Sequence, residues 1–263
     1  MARAAAPNFD ASARPELPRL PGLLFASDSR GAGKTIVAAA VARHLRRFGR
    51  DVEVFKPLAA RCRRGRGGLI SPDADLLAAC AESKRTLAEI SPIRYASSLP
   101  AAAAATIEHW SVDLAGVFDA WRALTARAEV AVVESDGGLA DPITDEFWPV
   151  HLAKLLALPV VLVVRAGLEC VNRALQAMHL VRSMELDLAG VVLNRYRPDA
   201  ASEPAADAAM RTAPDLIARS GRARLLALVP DDPANNVDQA AVAPSAQHAV
   251  DQVPWERIIF GPS

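Results

Sequence analysis

The chain is 263 residues long and 51% hydrophobic, and its 30 basic side chains are matched by 30 acidic ones for a formal net charge of zero. That apolar share excludes a disordered chain and suffices for one sizeable core, while the charge balance excludes a general nucleic-acid or membrane-surface binder, which needs a basic excess or patch. Three scattered cysteines, Cys62, Cys80 and Cys170, exclude a disulfide framework or a zinc site and point to a reducing compartment. Residues 1–21, rich in Pro, Ala and Arg, read as a disordered tail without a signal-peptide run. No segment reaches the roughly 18 apolar residues of a membrane span, so a cytoplasmic protein is expected. Lysine is scarce: Lys34, Lys56, Lys84 and Lys154 are the only four, and a position that keeps lysine in this arginine-rich chain draws attention.

In chain order, residues 23–27 (LLFAS) predict a buried strand, 35–48 (TIVAAAVARHLRRF) a helix, and 52–56 (VEVFK) a second strand. The helix gathers its basic residues near its C-terminal end, where the dipole favours cations. Four more apolar runs, at 130–134, 160–165, 189–194 and 225–229, predict strands buried on both faces, as in a parallel sheet covered by helices. The alternation with helical stretches gives an α/β fold class: a single-domain, doubly wound, mainly parallel sheet of the P-loop NTPase type over residues 22–263. Ligands of such sheets sit at the carboxyl ends of the strands, here marked by Ser27, Asp28, Lys56, Glu134, Arg165 and Asn194.

Ser29, Arg30, Gly31, Ala32, Gly33, Lys34 and Thr35 follow a strand and open a helix, the setting a phosphate-binding loop requires. Backbone N–H groups close around an anion at the helix N-terminus, Lys34 reaches the β- and γ-phosphates, and the Thr35 hydroxyl meets Mg²⁺. Asp28 stands where G-x-x-x-x-G-K-[ST] has its first glycine, and Arg30 either faces solvent or adds charge near the γ-phosphate. Lys56, fixed by Pro57, aims into the same crevice, so two lysines are candidates to neutralise charge on a transferred phosphoryl group. Asp73 or Asp75 either caps the helix that begins there or completes a magnesium shell, and Glu134 ends an apolar strand where a magnesium ligand belongs. The metal set is therefore Thr35, Asp73 and Glu134.

Gly137 and Gly138 allow close backbone approach to a ligand. Leu168, Glu169, Cys170, Val171 and Asn172 open a helix whose free N–H groups suit a substrate carboxylate, or else form an ordinary turn. The Asn194 amide donates and accepts, as an adenine edge demands. The basic run 61–68 reads as a mobile solvated loop or an anion-gathering lid. His44, His109, His151, His179 and His248 have no metal spacing.

Taken together, these segments resemble the dethiobiotin synthetase family over about residues 22–240, in seven motifs that keep their order. GKT at 33–35 and FKPLA at 55–59 are similar to its phosphate loop and its lysine-proline strand end. PDADLL at 72–77 resembles its Asp-bearing helix start, and VVESDGGLADPITDE at 132–146 its E-G-A-G-G segment. VVRAGLECVNRAL at 163–175 and LAGVVLN at 188–194 resemble its L-G-x-I-N-H-x-L and G-x-x-x-N stretches, and VPDDPANN at 229–236 its adenine-side loop. The resemblance implies a homodimer that uses ATP, Mg²⁺ and CO₂ to close a ureido ring on 7,8-diaminononanoate. Lys34 and Lys56 would be catalytic, and Pro230 and Asp231 would join Asn194 at the nucleotide. Ala60, Gly137, Gly138 and the helix start at 168–172 would face the diamine, the last across the dimer interface.

Departures from the family pattern gather on the substrate side. Its Thr-Asp-Thr becomes Asp28-Ser29-Arg30, a serine becomes Ala60, E-G-A-G-G becomes Glu134-Ser135-Asp136-Gly137-Gly138, and Glu169 adds charge where a carboxylate docks. Two other readings follow: a divergent relative acting on another amine, and a partitioning-type P-loop ATPase switch. The latter carries a signature lysine where Ser29 stands here. A glutamine amidotransferase relative would need a second domain for which this chain lacks the length.

Overall fold

A computed structural model describes residues 15–197 and 204–261. Its first elements are β1 (Gly22–Ser27), α1 (Lys34–Arg47), β2 (Val52–Phe55), and the short strands β3 (Leu58–Ala59), β4 (Arg63–Gly65) and β5 (Gly68–Ile70). Next come α2 (Pro72–Ala81), α3 (Leu87–Ile90), β6 (Ile93–Arg94), α4 (Ala101–Glu108), α5 (Leu114–Thr125), β7 (Val130–Glu134) and α6 (Pro149–Leu156). The chain continues through β8 (Val160–Arg165), α7 (Cys170–Ser183), β9 (Leu188–Tyr196), α8 (Pro204–Gly221), β10 (Leu225–Pro230), α9 (Pro244–Asp251) and α10 (Trp255–Phe260).

Six strands form one sheet in the order β10-β9-β8-β1-β7-β2, and every neighbouring pair is parallel. Alternate residues of each inner strand feed two separate cores. Leu24 and Ala26 of β1, with Ala131 and Val133 of β7, face a layer holding Trp121 of α5, Leu152 of α6, Ala174 of α7 and Ile217 of α8. Leu23 and Phe25, with Val130 and Val132, face α1, α2, α9 and α10 through Val37, Leu76, Val250 and Trp255. A strand with a core on each side has no polar face, which is why these segments read as unbroken apolar runs. β1 lies between β7 and β8, so the strand order reverses beside its carboxyl end and opens a crevice there.

The predicted strands at 130–134 and 160–165 coincide with β7 and β8, and the other four lie within two residues of their predicted bounds. The expected loop at 61–68 is instead largely a two-stranded antiparallel hairpin, β4 against β5, with Arg63 opposite Ile70 and Gly65 opposite Gly68. Gly68, at φ 116°, permits the tight reversal that brings these strands together. Of the expected disordered tail, residues 1–14 lie outside the described residues. Within residues 15–21, Leu17 and Leu20 pack on the first core and the Pro18 carbonyl accepts the Trp121 indole N–H at 3.0 Å. Among the described residues no helix is long and apolar enough to cross a membrane.

Candidate active site

The phosphate loop leaves β1 at Ser27 and enters α1 at Lys34 through two left-handed glycines, Gly31 at φ 75° and Gly33 at φ 88°. Gly33 is needed twice over. Besides its φ, a Cβ there would fall 2.0 Å from Asn194 Nδ2. That amide donates to the Ala32 carbonyl at 2.8 Å, so Asn194, at the C-terminal part of β9, braces the loop from below. Lys34 Nζ donates to Ser27 Oγ at 2.9 Å and to the Gly137 carbonyl at 2.7 Å. Burial lowers the Lys34 pKa.

Beside it lies a second group. Lys56 is 1% exposed, with Nζ 2.8 Å from Glu134 Oε1 and 3.2 Å from Asp73 Oδ2. Thr35 Oγ1 donates to the same Glu134 oxygen at 2.9 Å. Burial opposes charge on Lys56, but Glu134 and Asp73 outweigh it and hold the ammonium above its ordinary range. Burial likewise opposes charge on Asp73, and Lys56 outweighs it to keep that carboxyl below the usual range. Among the described residues Glu134 Oε2 is buried without a hydrogen-bond partner. A hydroxyl, two carboxylates and one unused buried oxygen suit a hard cation such as Mg²⁺, which takes one or two carboxylates and completes its shell with phosphate and water. No cluster of three or more His, Cys, Asp or Glu residues among those described offers an all-protein metal cage.

Asp73 reaches Lys56 because α2 begins where it does. Ser71 is the N-cap, its Oγ accepts the Ala74 N–H at 3.1 Å, and Pro72 fills the first turn. Ser71→Ala is expected to cost about 1 kcal/mol of stability, read as a lower denaturant midpoint with an unchanged slope. No loss would remove Ser71 from the capping role. Asp75, on the same turn, does not line the cleft.

These groups face one cleft of about 760 Å³, lined by Arg30, Gly31, Gly33, Lys34, Thr35, Lys56, Ala60, Asp73, Glu134, Gly137, Asn194 and Asp231. Most of the residues singled out from sequence therefore converge. Ala32 is buried within the loop, and Gly138 and Pro230 are not on the lining. Leu168, Glu169, Cys170, Val171 and Asn172 do not line the cleft; Leu168 is 64% exposed and Cys170 is buried in the core. Arg61 and Arg63, beside and on the hairpin, line the cleft, and Arg63 pairs with Asp238, also on the lining.

Three partners were not foreseen. Arg30 is held by Asp136 at 3.1 Å and by Asp141 at 2.9 Å, and the Tyr95 hydroxyl donates to Asp136 at 2.6 Å. Asp28, also nearly buried, pairs at 3.0 Å with Arg173 from the first turns of α7. No local pattern announces Tyr95, Asp141 or Arg173, because each meets its partner only through the tertiary fold.

A family model described as an AAA domain matches residues 22–237. The chain is 35% identical over 212 residues to the ATP-dependent dethiobiotin synthetase BioD of Anaeromyxobacter sp. (strain K), covering 81% of this chain and 91% of that one. It is 38% identical over 178 residues to the enzyme of the same name from Anaeromyxobacter dehalogenans (strain 2CP-C), covering 68% and 78%. Among solved structures, the MinC:MinD cell division protein complex of Aquifex aeolicus superposes with a TM-score of 0.59 at 15% identity, over 92% of this chain and 97% of that one. The septum site-determining protein MinD of Pyrococcus horikoshii, complexed with Mg-ADP, gives a TM-score of 0.54 at 16% identity, over 88% and 93%. At such identity these likenesses establish the parallel P-loop fold.

Proposed function

The chain belongs to the ATP-dependent dethiobiotin synthetase family, and from that premise we propose that it joins CO₂ to 7,8-diaminononanoate and closes the ureido ring of dethiobiotin, with ATP as phosphoryl donor. The observation that carries the reading is the shared Glu134 oxygen, bonded to both the Thr35 hydroxyl and Lys56 beside the phosphate loop. That contact ties a nucleotide loop to a second buried cation at the centre of one cleft.

The first amine adds to CO₂ and loses a proton, giving a carbamate. A carbamate oxygen then attacks the γ-phosphorus; the bond to the β-γ bridging oxygen breaks, ADP leaves, and a carbamic-phosphoric anhydride forms. The second amine attacks the carbonyl carbon, phosphate departs with the C–O bonding pair, and the lost N–H proton completes the balance. Lys34 and Lys56 hold the carbamate and phosphoryl oxygens, and their role is electrostatic and positional. Magnesium, held by Thr35, Asp73 and Glu134, would neutralise phosphate charge. Asn194, Pro230 and Asp231 flank the nucleotide, and Arg30, Gly31, Ala32 and Gly33 wrap its phosphates. Ala60, Gly137 and Gly138 border the diamine. The helix start Leu168, Glu169, Cys170, Val171 and Asn172 serves the substrate carboxylate of the other subunit in a homodimer. The open position of Leu168 supports that last role. The whole works as one catalytic domain, residues 22–263, in the cytoplasm.

Purified protein with Mg-ATP and bicarbonate is expected to release phosphate only when 7,8-diaminononanoate is added. Release that ignores the diamine, or none at all, would overturn the reading.

A further inference from the structure

Two departures from the family pattern, Arg30 in the phosphate loop and Asp136 after β7, are one ion pair at 3.1 Å. Both partners of one contact thus depart from that pattern, and the contact sits beside the phosphate loop. We propose that Asp136 is a specificity-determining residue that receives a cationic amine of the acceptor; the amine itself rests on the function proposed above.

The carboxylate is built to present one oxygen. Its side chain is 10% exposed and lines the cleft. Both hydrogen bonds described for it, from Arg30 Nη2 at 3.1 Å and Tyr95 Oη at 2.6 Å, end on Oδ2. Oδ1 is thereby the oxygen left for a ligand, and two donors on its partner fix its direction before any ligand arrives. Tyr95 remains a donor, because burial and the adjacent Asp136 push its phenol pKa up.

The local charge count selects the sign of that ligand. Arg30 is shared between Asp136 and Asp141, giving one positive against two negative groups. Farther along the cleft Lys34, Lys56 and Arg61 face Asp73 and Glu134, so that set carries no negative excess. One ammonium closes the deficit around Arg30, whereas a further anion would meet an uncompensated carboxylate. Asp136 adjoins Gly137, whose carbonyl binds Lys34 Nζ at 2.7 Å, so an amine seated there lies next to the phosphoryl centre. Ala60, also on the lining, offers no hydroxyl of its own.

The test is calorimetric binding of 7,8-diaminononanoate, its 7,8-diol analogue, which keeps the carboxylate but has no ammonium, and a series of alkyl mono- and diamines to wild type and Asp136→Asn, each with Mg-ADP present. The amide keeps the shape and one oxygen for Arg30 and Tyr95 but loses the charge. Diamine binding is expected to weaken by about tenfold or more, the scale of a charge-assisted hydrogen bond, while Mg-ATP affinity and diol binding stay unchanged. If Asp136→Asn melts early, Asp136→Ser, which keeps a hydroxyl oxygen without the charge, gives the same comparison. Equal diamine affinity in wild type and a folded variant overturns the proposal, as does a wild type that binds none of the amines. Asp136-dependent binding of some amine by a protein that does not turn over the diamine would uphold Asp136 and sink the proposed reaction instead.

Discussion

Lys34→Ala is expected to lower kcat by about a hundred- to a thousandfold, the loss typical when one preorganised charge donor is removed from a transition state. Lys34 is the buried loop cation with no carboxylate among its hydrogen-bond partners; Ser27 Oγ and the Gly137 carbonyl take its protons. Both acceptors are neutral, and Ser27 Oγ can itself donate to the Ser29 and Gly137 carbonyls, at 2.7 and 3.2 Å. Truncation breaks no hydrogen-bonded ion pair, though Glu134 and Asp73 lose a nearby counter-charge, so turnover should fall far more than the melting temperature. Phosphate release and a thermal melt on the same preparation separate the two effects. A variant that keeps most of its turnover would remove Lys34 from the reaction.

Lys56→Met behaves differently, because stability and activity fall together. The substitution strands the buried Glu134 and the partly buried Asp73, both paired to the same Nζ. Breaking a buried pair from one side costs about 3–5 kcal/mol. Its pH dependence has a definite sign. The folded Asp73 pKa is depressed, so its stabilising contribution is present above the unfolded value of about 3.9 and is lost as pH falls through the lower folded value. Wild type and variant stabilities are thus expected to converge on acidification, as seen by denaturant titration at several pH values. A constant gap would argue that Lys56 acts through packing alone. Lys56→Arg should not restore turnover, since a planar, wider guanidinium does not fit a point held 2.8 and 3.2 Å from two fixed oxygens.

Much of this was legible in the residues because the physics is local. Strands such as Val130–Glu134 are apolar throughout because each face has its own core, and GKT after a strand has few other uses. Lys56, Asp73 and Glu134 each stand at an element's end, and parallel strands carry such ends to one edge. What escaped is tertiary. Arg30 and Asp136 read as two separate anomalies until the fold brought them across 106 residues into one pair, and Tyr95 lies 41 residues from the same carboxylate. Asn194 looked like a base reader, and its amide in fact also ties down the Ala32 carbonyl. The α7 start was read with the substrate, yet within one chain it lies off the cleft, and the role proposed for it requires a second subunit.

In the proposed reaction one cleft couples ATP cleavage to carbon capture and ring closure. Carbon-13 bicarbonate, Mg-ATP and 7,8-diaminononanoate incubated with the enzyme test it directly, with product followed by mass spectrometry and phosphate counted in parallel. Dethiobiotin labelled at the ureido carbon is expected in amounts equal to the phosphate released. Phosphate without labelled ring product would contradict it.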